Sequence, residues 1–160
     1  MTNSDSVTAM WSALTEARPE LVLGRASYSA WHFCDNEADA NEMAELVLAG
    51  VKRATASLLW SYEAEGEPLP AVGDLGIVTD WDGRARCVIR TTSVEVVPFE
   101  EVTQEFAEIE GEGDGSLGYW RAAHQAAFTR ELEGSGRTFE RRSPVVCERF
   151  EVVFRGPSDR

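Results

Sequence analysis

The sequence lacks the residue patterns of several common protein classes. No stretch approaches the roughly 20 consecutive apolar residues that a membrane-spanning helix requires. Residues 1–5 contain no basic region followed by an apolar run, so no signal peptide is predicted, and we expect a cytoplasmic protein with no membrane partner. No C-x-x-C or H-x-x-x-H pair is present, and we therefore predict neither a metal site nor a cofactor.

Cysteine is also scarce. The three cysteines are Cys34, Cys87 and Cys147, an odd number at wide spacing, which is not the pattern of a disulfide framework. Each lies in an apolar or alternating run, and we predict three buried, reduced thiols.

Basic residues are few relative to acidic ones. The chain has 15 Lys and Arg against 28 Asp and Glu, a formal net charge of -13 and a pI near 4.5. A protein that holds long nucleic acid by its phosphates normally has a basic face, whereas the mean field of this chain repels phosphate. Only a local basic cleft could overcome that repulsion, and the candidate cations are Lys52, Arg53, Arg84, Arg86, Arg90, Arg141 and Arg142.

Apolar and aromatic residues are plentiful enough for a well-packed core. Hydrophobic residues make up 43% of 160 residues, with five Trp and seven Phe, which predicts one domain over residues 1–160. Its core should span about 28–154, after an N-terminal helix within 1–20 and before a frayed tail at 156–160. Apolar spacing and turn residues predict helices at 5–18, 37–49, 56–64, 99–108 and 116–133, and strands at 28–34, 75–79, 85–97 and 144–154. Asp35 or Asn36 is the expected cap of the helix at 37–49, and Asp80-Trp81-Asp82-Gly83 is predicted to form a hairpin turn. This order indicates an α+β fold with a small, mostly antiparallel β-barrel and flanking helices.

The segment from Gly50 to Thr55 has the residues most suited to chemistry. Gly50 is placed to end a helix at positive φ, and two cations and a hydroxyl follow in a short extended stretch. Lys52 and Arg53 point to opposite sides of an extended chain, and Lys52 and Thr55 converge only if the chain bends. On these residues alone, a solvated Lys-Arg pair beside a buried Thr is the favoured interpretation.

Longer motifs add a family resemblance. Gly50-x-Lys52-x-x-Thr55, followed by Leu69-Pro70-x-x-Gly73-Asp74 before a hairpin, resembles the ASCH family of the PUA-like superfamily. Residues 106–114, with Tyr119-Trp120-Arg121 and Cys147-Glu148-Arg149-Phe150, look like the longer bacterial branch of that family. The resemblance covers about residues 30–154. It implies a β-barrel around a cleft, with roles in the handling of RNA or nucleosides.

The resemblance also implies a reaction. Short members of the family are amidohydrolases that remove acyl groups from the exocyclic amine of cytidine, and Lys52 and Thr55 match their catalytic Lys and Thr. Their catalytic Glu falls on Glu110, with Glu108 and Glu112 close by. In one arrangement Lys52 activates Thr55 as nucleophile while Glu110 assists proton transfer; in the other, charged Lys52 holds the amide oxygen and Glu110 activates water. Neither choice follows from the sequence.

Three further side chains are predicted to contact the substrate. Arg53 adjoins the motif, Tyr62 is suited to stack on a base, and His32 alternates with two aromatic residues and so points away from them. His124 is predicted to be a buried hydrogen-bonding residue. The acidic group of Glu108, Glu110, Glu112 and Asp114 lacks the order of a calcium loop, which favours a solvated loop.

Two other functions remain open. This chain also resembles long members of the family that imply an RNA-cleaving enzyme, in which Lys52 would stabilise phosphorane charge. A non-catalytic RNA- or nucleotide-binding module is also compatible with the motifs. The net charge of -13 disfavours long RNA but does not oppose a neutral nucleoside. We therefore expect a small nucleoside-like substrate or, second, short RNA.

Overall fold

The computed structural model describes residues 3–24 and 28–156. The helices in these ranges are α1 Asn3–Ala17, α2 Pro19–Val22, α3 Glu37–Leu48, α4 Leu59–Glu65, α5 Gln104–Glu110 and α6 Leu117–Glu131. The strands are β1 Ser29–Trp31, β2 Ala54–Leu58, β3 Leu75–Thr79, β4 Ala85–Pro98 and β5 Pro144–Phe154. From residue 157 onward, the predicted frayed tail lies outside the described residues.

The strands pair in the order β1-β3-β4-β5-β2. β1 runs parallel to β3, with Ser29 opposite Gly76, whereas β3 with β4 and β2 with β5 are antiparallel. Gly76 is required by this packing, because a Cβ there would lie 2.2 Å from the Trp31 ring. The predicted α+β class with a small, mostly antiparallel β-barrel and flanking helices is confirmed, the strands forming one five-stranded sheet with β1 and β2 at the ends of its order.

The chain divides into two compact units. The first comprises Met1–Val51, Val72–Thr92 and Phe150–Arg160, and the second comprises Lys52–Ala71 and Ser93–Arg149. The first unit has two apolar clusters, one packed around Leu14 and the other around Val47. The second unit has an aromatic cluster centred on Trp120 and Phe99. The candidate site described below lies entirely in the second unit.

Several predicted boundaries are confirmed. Asn36 caps α3, accepting a hydrogen bond of 2.9 Å from the Asp39 backbone N–H, and Gly50 follows the helix at φ 78. The predicted hairpin at 80–83 is present with Gly83 at φ 84. Strand β1 is shorter than predicted, with three residues. No helix within the described ranges is long and apolar enough to cross a membrane.

Two helix predictions are wrong in part. Ala54–Leu58 is a strand, and only Leu59–Glu65 is helical, because the first segment pairs with β5 and this tertiary pairing overrides local propensity. The predicted helix at 99–108 is a 3₁₀ turn at Phe99–Glu101 followed by α5. Thr103 starts α5 anew, because its hydroxyl accepts from the Phe106 N–H and its backbone is extended.

One cysteine prediction is also wrong. Cys34 is exposed, at φ 62 in the turn before α3, so its neighbours in sequence did not determine its burial. Cys87 and Cys147 are buried free thiols, as predicted, and burial raises the pKa of each to about 12.

Candidate functional site

Lys52 is the only lysine in the sequence, and its side chain is buried, with 2% exposed. Its ammonium donates to the Ala54 carbonyl at 2.9 Å, to Glu110 Oε2 at 3.0 Å and to Glu112 Oε2 at 3.2 Å. Three acceptors match the three N–H groups of an ammonium. Burial of this charge is therefore compensated by carboxylates and a backbone oxygen, as a buried cation requires.

The two carboxylates reach Lys52 from consecutive turns of the chain. α5 ends at Glu110, and Gly111 at φ 70 reverses the backbone so that Glu112 returns toward the same ammonium. The Arg53 N–H donates to the Ile109 carbonyl at 2.8 Å, which ties the segment after Lys52 to the end of α5. The left-handed glycine thus converts a helix end into a pair of converging carboxylates.

The loop at 111–116 is held at its middle and at its C-terminal end. The Gln104 side chain donates to the Gly115 carbonyl at 3.2 Å and accepts from the Leu117 N–H at 2.8 Å. Gly113, at φ 60, lies against the Tyr119 ring, and a Cβ on it would lie 2.4 Å from a ring carbon. These contacts fix the loop that contains Glu112.

Helix α6 adds two aromatic rings on the other side of Glu110. The Trp120 indole N–H donates to Glu110 Oε1 at 2.6 Å, and His124 Nε2 lies 3.3 Å from Glu110 Oε2 and 3.8 Å from Glu112 Oε2. The two rings stack with centroids 4.2 Å apart, and His124 Nδ1–H donates to the Trp120 carbonyl at 2.9 Å. His124 is therefore a buried hydrogen-bonding residue, as predicted. We call Lys52, Glu110, Glu112 and His124 the charge cluster.

The charge cluster keeps Lys52 and Glu110 ionised. Burial acts to lower the pKa of Lys52, but the two nearby carboxylates outweigh it and raise the pKa above its usual range. Burial acts to raise the pKa of Glu110, but Lys52 and His124 outweigh it and hold the pKa well below its usual range. Each charge is thus stabilised by the other in a site from which water is largely excluded.

The pKa values of Glu112 and His124 are both raised, for different reasons. Burial raises the pKa of Glu112 to about 7, and two effects of Glu110 act in the same direction: the hydrogen bond that protonated Glu112 donates to the Glu110 carboxylate, and the like charge of that carboxylate. The attraction of Lys52 opposes this rise. Burial acts to lower the pKa of His124, but the Glu110 carboxylate outweighs it and raises the pKa. Glu112 is also the most exposed side chain of the cluster, at 17%, against 11% for His124. It is the group best placed to exchange a proton with solvent near neutral pH.

The same groups form a possible metal-ligand set. One ligand atom each from Glu110, Glu112 and His124 lies within 4.8 Å of the others. The Lys52 ammonium already contacts both carboxylates and occupies the position of a cation, so a divalent ion would have to displace it. Oxygen and imidazole ligands suit divalent ions, but the negative charge of the two carboxylates is already compensated by the Lys52 ammonium without a metal ion.

The structure brings together only part of the predicted catalytic set. Lys52 and Glu110 are in contact, and Glu112, which the sequence left open beside Glu110, joins them. Glu108 is exposed and accepts from Gln104 instead. On β2, Ala54 and Leu58 pack into the aromatic cluster, so alternation directs Thr55 to the opposite face, where its Cα pairs with Glu148. Thr55 as nucleophile stays a prediction.

The predicted substrate-binding residues lie in different surroundings. The Arg53 side chain is exposed. Tyr62 is half-buried, and its hydroxyl shares a hydrogen bond of 2.9 Å with Ser57, on the same face of β2 as Thr55. His32 belongs to the first unit, where its ring lies 4.9 Å from the Trp81 ring. Their roles in binding stay predictions.

Sequence reasoning missed Trp120 as a partner of Glu110 and His124 as a partner of both carboxylates. A signal was available, because Trp120 and His124 are four residues apart and share one helix face. Lys52 as the sole lysine of so acidic a chain was a second signal. Neither identifies the partner, since Glu110 and His124 meet only through the packing of α5 against α6.

Comparisons with known proteins agree on the family. The family model described as "ASCH domain" matches residues 29–154. An ASCH domain structure from Lactobacillus crispatus is 39% identical, with a TM-score of 0.88 and coverage of 96% of each chain. Protein EF3133 from Enterococcus faecalis is 32% identical, with a TM-score of 0.85 and coverage of 94% of this chain and 90% of that one. No curated protein matches the sequence.

Proposed function

This chain belongs to the ASCH domain family, and from that premise we propose that it hydrolyses the amide of a small acylated pyrimidine nucleoside, such as an N-acylated cytidine. The observation that supports this proposal is the Glu112 carboxyl, with a pKa of about 7, at the accessible edge of a buried charge cluster. A general base is most effective when its pKa is near the working pH.

The proposed reaction uses Glu112 for both proton transfers. Ionised Glu112 removes a proton from water, the resulting hydroxide attacks the amide carbonyl carbon, and a tetrahedral oxyanion forms. Glu112 then returns the proton to the exocyclic nitrogen as the carbon–nitrogen bond breaks, which yields a carboxylic acid and the free amine of cytidine. Because the pKa of Lys52 is raised, the lysine stays charged and does not act as a base. Its three N–H groups are already donated, so its positive charge favours the oxyanion through space and not by a direct hydrogen bond, while Glu110 and Ala54 hold it in position.

A small substrate is favoured over long RNA for two reasons. The Lys52 ammonium is saturated by three acceptors and buried, so it is not available for direct contact with a phosphate backbone. The net charge of -13 also opposes a polyanion at a distance. A neutral nucleoside meets neither obstacle.

The proposal is tested with N4-acetylcytidine and purified protein, with release of cytidine followed by chromatography. Glu112→Gln should lower kcat/KM by about 10²–10⁴-fold, the usual contribution of general acid–base catalysis. Glu108→Gln is the matched control, since it makes the same change at an exposed neighbour and should leave the rate unchanged. Equal rates for Glu112→Gln and wild-type protein would refute the role of Glu112.

Thr55→Ala separates the two arrangements. If Thr55→Ala has only a small effect on turnover, water is supported as the nucleophile. If Thr55→Ala abolishes turnover and acylated protein accumulates in Thr55→Ser, a Thr55 nucleophile is supported. A wild-type protein that cleaves RNA and leaves acetylcytidine intact would replace the amidase proposal with the ribonuclease alternative.

A further inference from the structure

A groove of about 650 Å³ lies in the second unit, and none of its lining residues belongs to the charge cluster. This volume is within the range of about 300–1,000 Å³ typical of small-molecule sites. It is bordered by the 3₁₀ turn, by helix α6 and by the segment before β5. Its lining residues are Phe99, Glu100, Arg121, Gln125, Phe139, Glu140 and Arg141.

Aromatic residues form one part of the groove. Phe99 is buried and Phe139 is half-buried, and their rings meet edge to face with centroids 4.8 Å apart. Phe99 also packs against Trp120, at 5.3 Å between centroids, which anchors it in the aromatic cluster. A firmly held aromatic pair beside open space is suited to contact with a planar ring of a ligand.

Two guanidinium groups form another part, and the protein leaves them largely uncompensated. Arg121 has a single long side-chain hydrogen bond, of 3.3 Å to the Glu100 carbonyl. Arg141 has no side-chain hydrogen bond or ion pair with any residue in 3–24 or 28–156. In a chain with 28 acidic residues and 15 basic ones, carboxylate partners are abundant. Five other arginines have a carboxylate oxygen within 4.0 Å, namely Arg18, Arg84, Arg86, Arg90 and Arg149.

The remaining polar groups are mostly acceptors. Glu100 and Glu140 line the same groove, and the Glu100 N–H donates to the Arg141 carbonyl at 2.9 Å, which fixes the two segments side by side. Neither carboxylate pairs with Arg121 or Arg141 within 4.0 Å among the residues described. A complementary ligand therefore has a planar ring, an anionic group for the arginines, and hydroxyl or amine donors for the glutamates.

The geometry points to a nucleoside monophosphate as the ligand of this groove. Its phosphate would accept from Arg121 and Arg141, its base would contact Phe139, and its ribose hydroxyls would donate to Glu100 and Glu140. Guanidinium groups bind phosphate oxygens with matched geometry, which favours phosphate over a single carboxylate. This site is separate from the proposed amide hydrolysis and does not depend on Glu112.

The test titrates the full chain with adenosine monophosphate, whose base is not that of the proposed amidase product, at low ionic strength and follows backbone amide chemical shifts. The expected shift changes are confined to the groove residues. Adenosine and inorganic phosphate, each lacking part of the ligand, should bind at least about tenfold more weakly, and added salt should weaken binding of the nucleotide. Shift changes centred elsewhere, or equal affinity for phosphate and nucleotide, would overturn the assignment.

A neighbouring arginine provides a charge-matched control. Arg141→Gln should weaken the nucleotide about tenfold or more, because it removes a charge-assisted hydrogen bond. Arg142→Gln makes the same change in net charge at the adjacent, exposed position, which does not line the groove, and should change affinity less than twofold. Equal weakening by both variants would show attraction by overall charge and contradict a built site. Both side chains are exposed, so neither change should affect folding.

Discussion

Replacing Lys52 by Met should destabilise the protein more than any ordinary surface substitution. The change keeps an unbranched side chain one atom shorter and removes its charge, so that Glu110, with 2% of its side chain exposed, loses its main partner. At 3.0 Å and an effective dielectric constant of about 20, the lost attraction is about 5.5 kcal/mol. Part of this lost attraction is offset, because the variant no longer buries a lysine charge and because His124 still interacts with Glu110. We expect a net loss of about 3–5 kcal/mol, the usual cost of breaking a buried pair.

The measurement is urea-induced unfolding at pH 7, followed by tryptophan fluorescence. With a slope of about 2 kcal/mol/M, the midpoint should fall by about 1.5–2.5 M. The control is Arg53→Met, the same change at an exposed neighbouring cation, with an expected effect within about 0.5 kcal/mol. The deficit of Lys52→Met should shrink as the pH falls toward 4, because the orphaned Glu110 can then accept a proton.

The double variant Lys52→Met/Glu110→Gln tests the cause. Once the orphaned carboxylate is neutral, the double variant should be more stable than Lys52→Met alone, which is strongly non-additive behaviour. A Lys52→Met variant within about 1 kcal/mol of wild-type protein, or a double variant whose loss equals the sum of the two single losses, would refute a buried ion pair at this position.

Two further predictions concern Glu112 and its loop. The pKa of Glu112 is raised from 4.5 to about 7 in the folded protein, so its contribution to stability is fully present below pH 4.5 and is lost as the pH rises through 7. The free energy of unfolding should therefore fall between about pH 5 and 8, and Glu112→Gln should reduce that slope; an unchanged slope would contradict the assignment. Gly113→Ala should destabilise the protein by about 1–3 kcal/mol, chiefly because it strains a backbone at φ 60, and the new Cβ also forces the exposed Tyr119 ring to move. Gly115→Ala, at φ 77 with open space around it, imposes the backbone strain alone, and equal losses in the two variants would count against the ring contact.

Local patterns were sufficient for much of the fold. The strand at 75–79, the hairpin at Gly83 and the cap at Asn36 each follow from residues close together in the sequence, and each is present. β2 was predicted as helix because Ala, Ser and Leu suit both states, and its strand form depends on pairing with β5, about 90 positions away. Pairing at that separation leaves no local signal.

The candidate site also has features that the sequence indicates and features that depend on tertiary packing. The sequence by itself pointed to Lys52 through its motif, and the resemblance predicted Glu110 as its partner, which the contact between their side chains bears out. Only the tertiary structure decided that Glu112 is buried beside Glu110, which raises its pKa, that His124 completes the charge cluster and that Thr55 lies on the face of β2 opposite the aromatic cluster. The reason is physical: residue types and spacing are properties of the chain, whereas burial and the distances between charges, which set each pKa, exist only after α5, α6 and β2 have packed together.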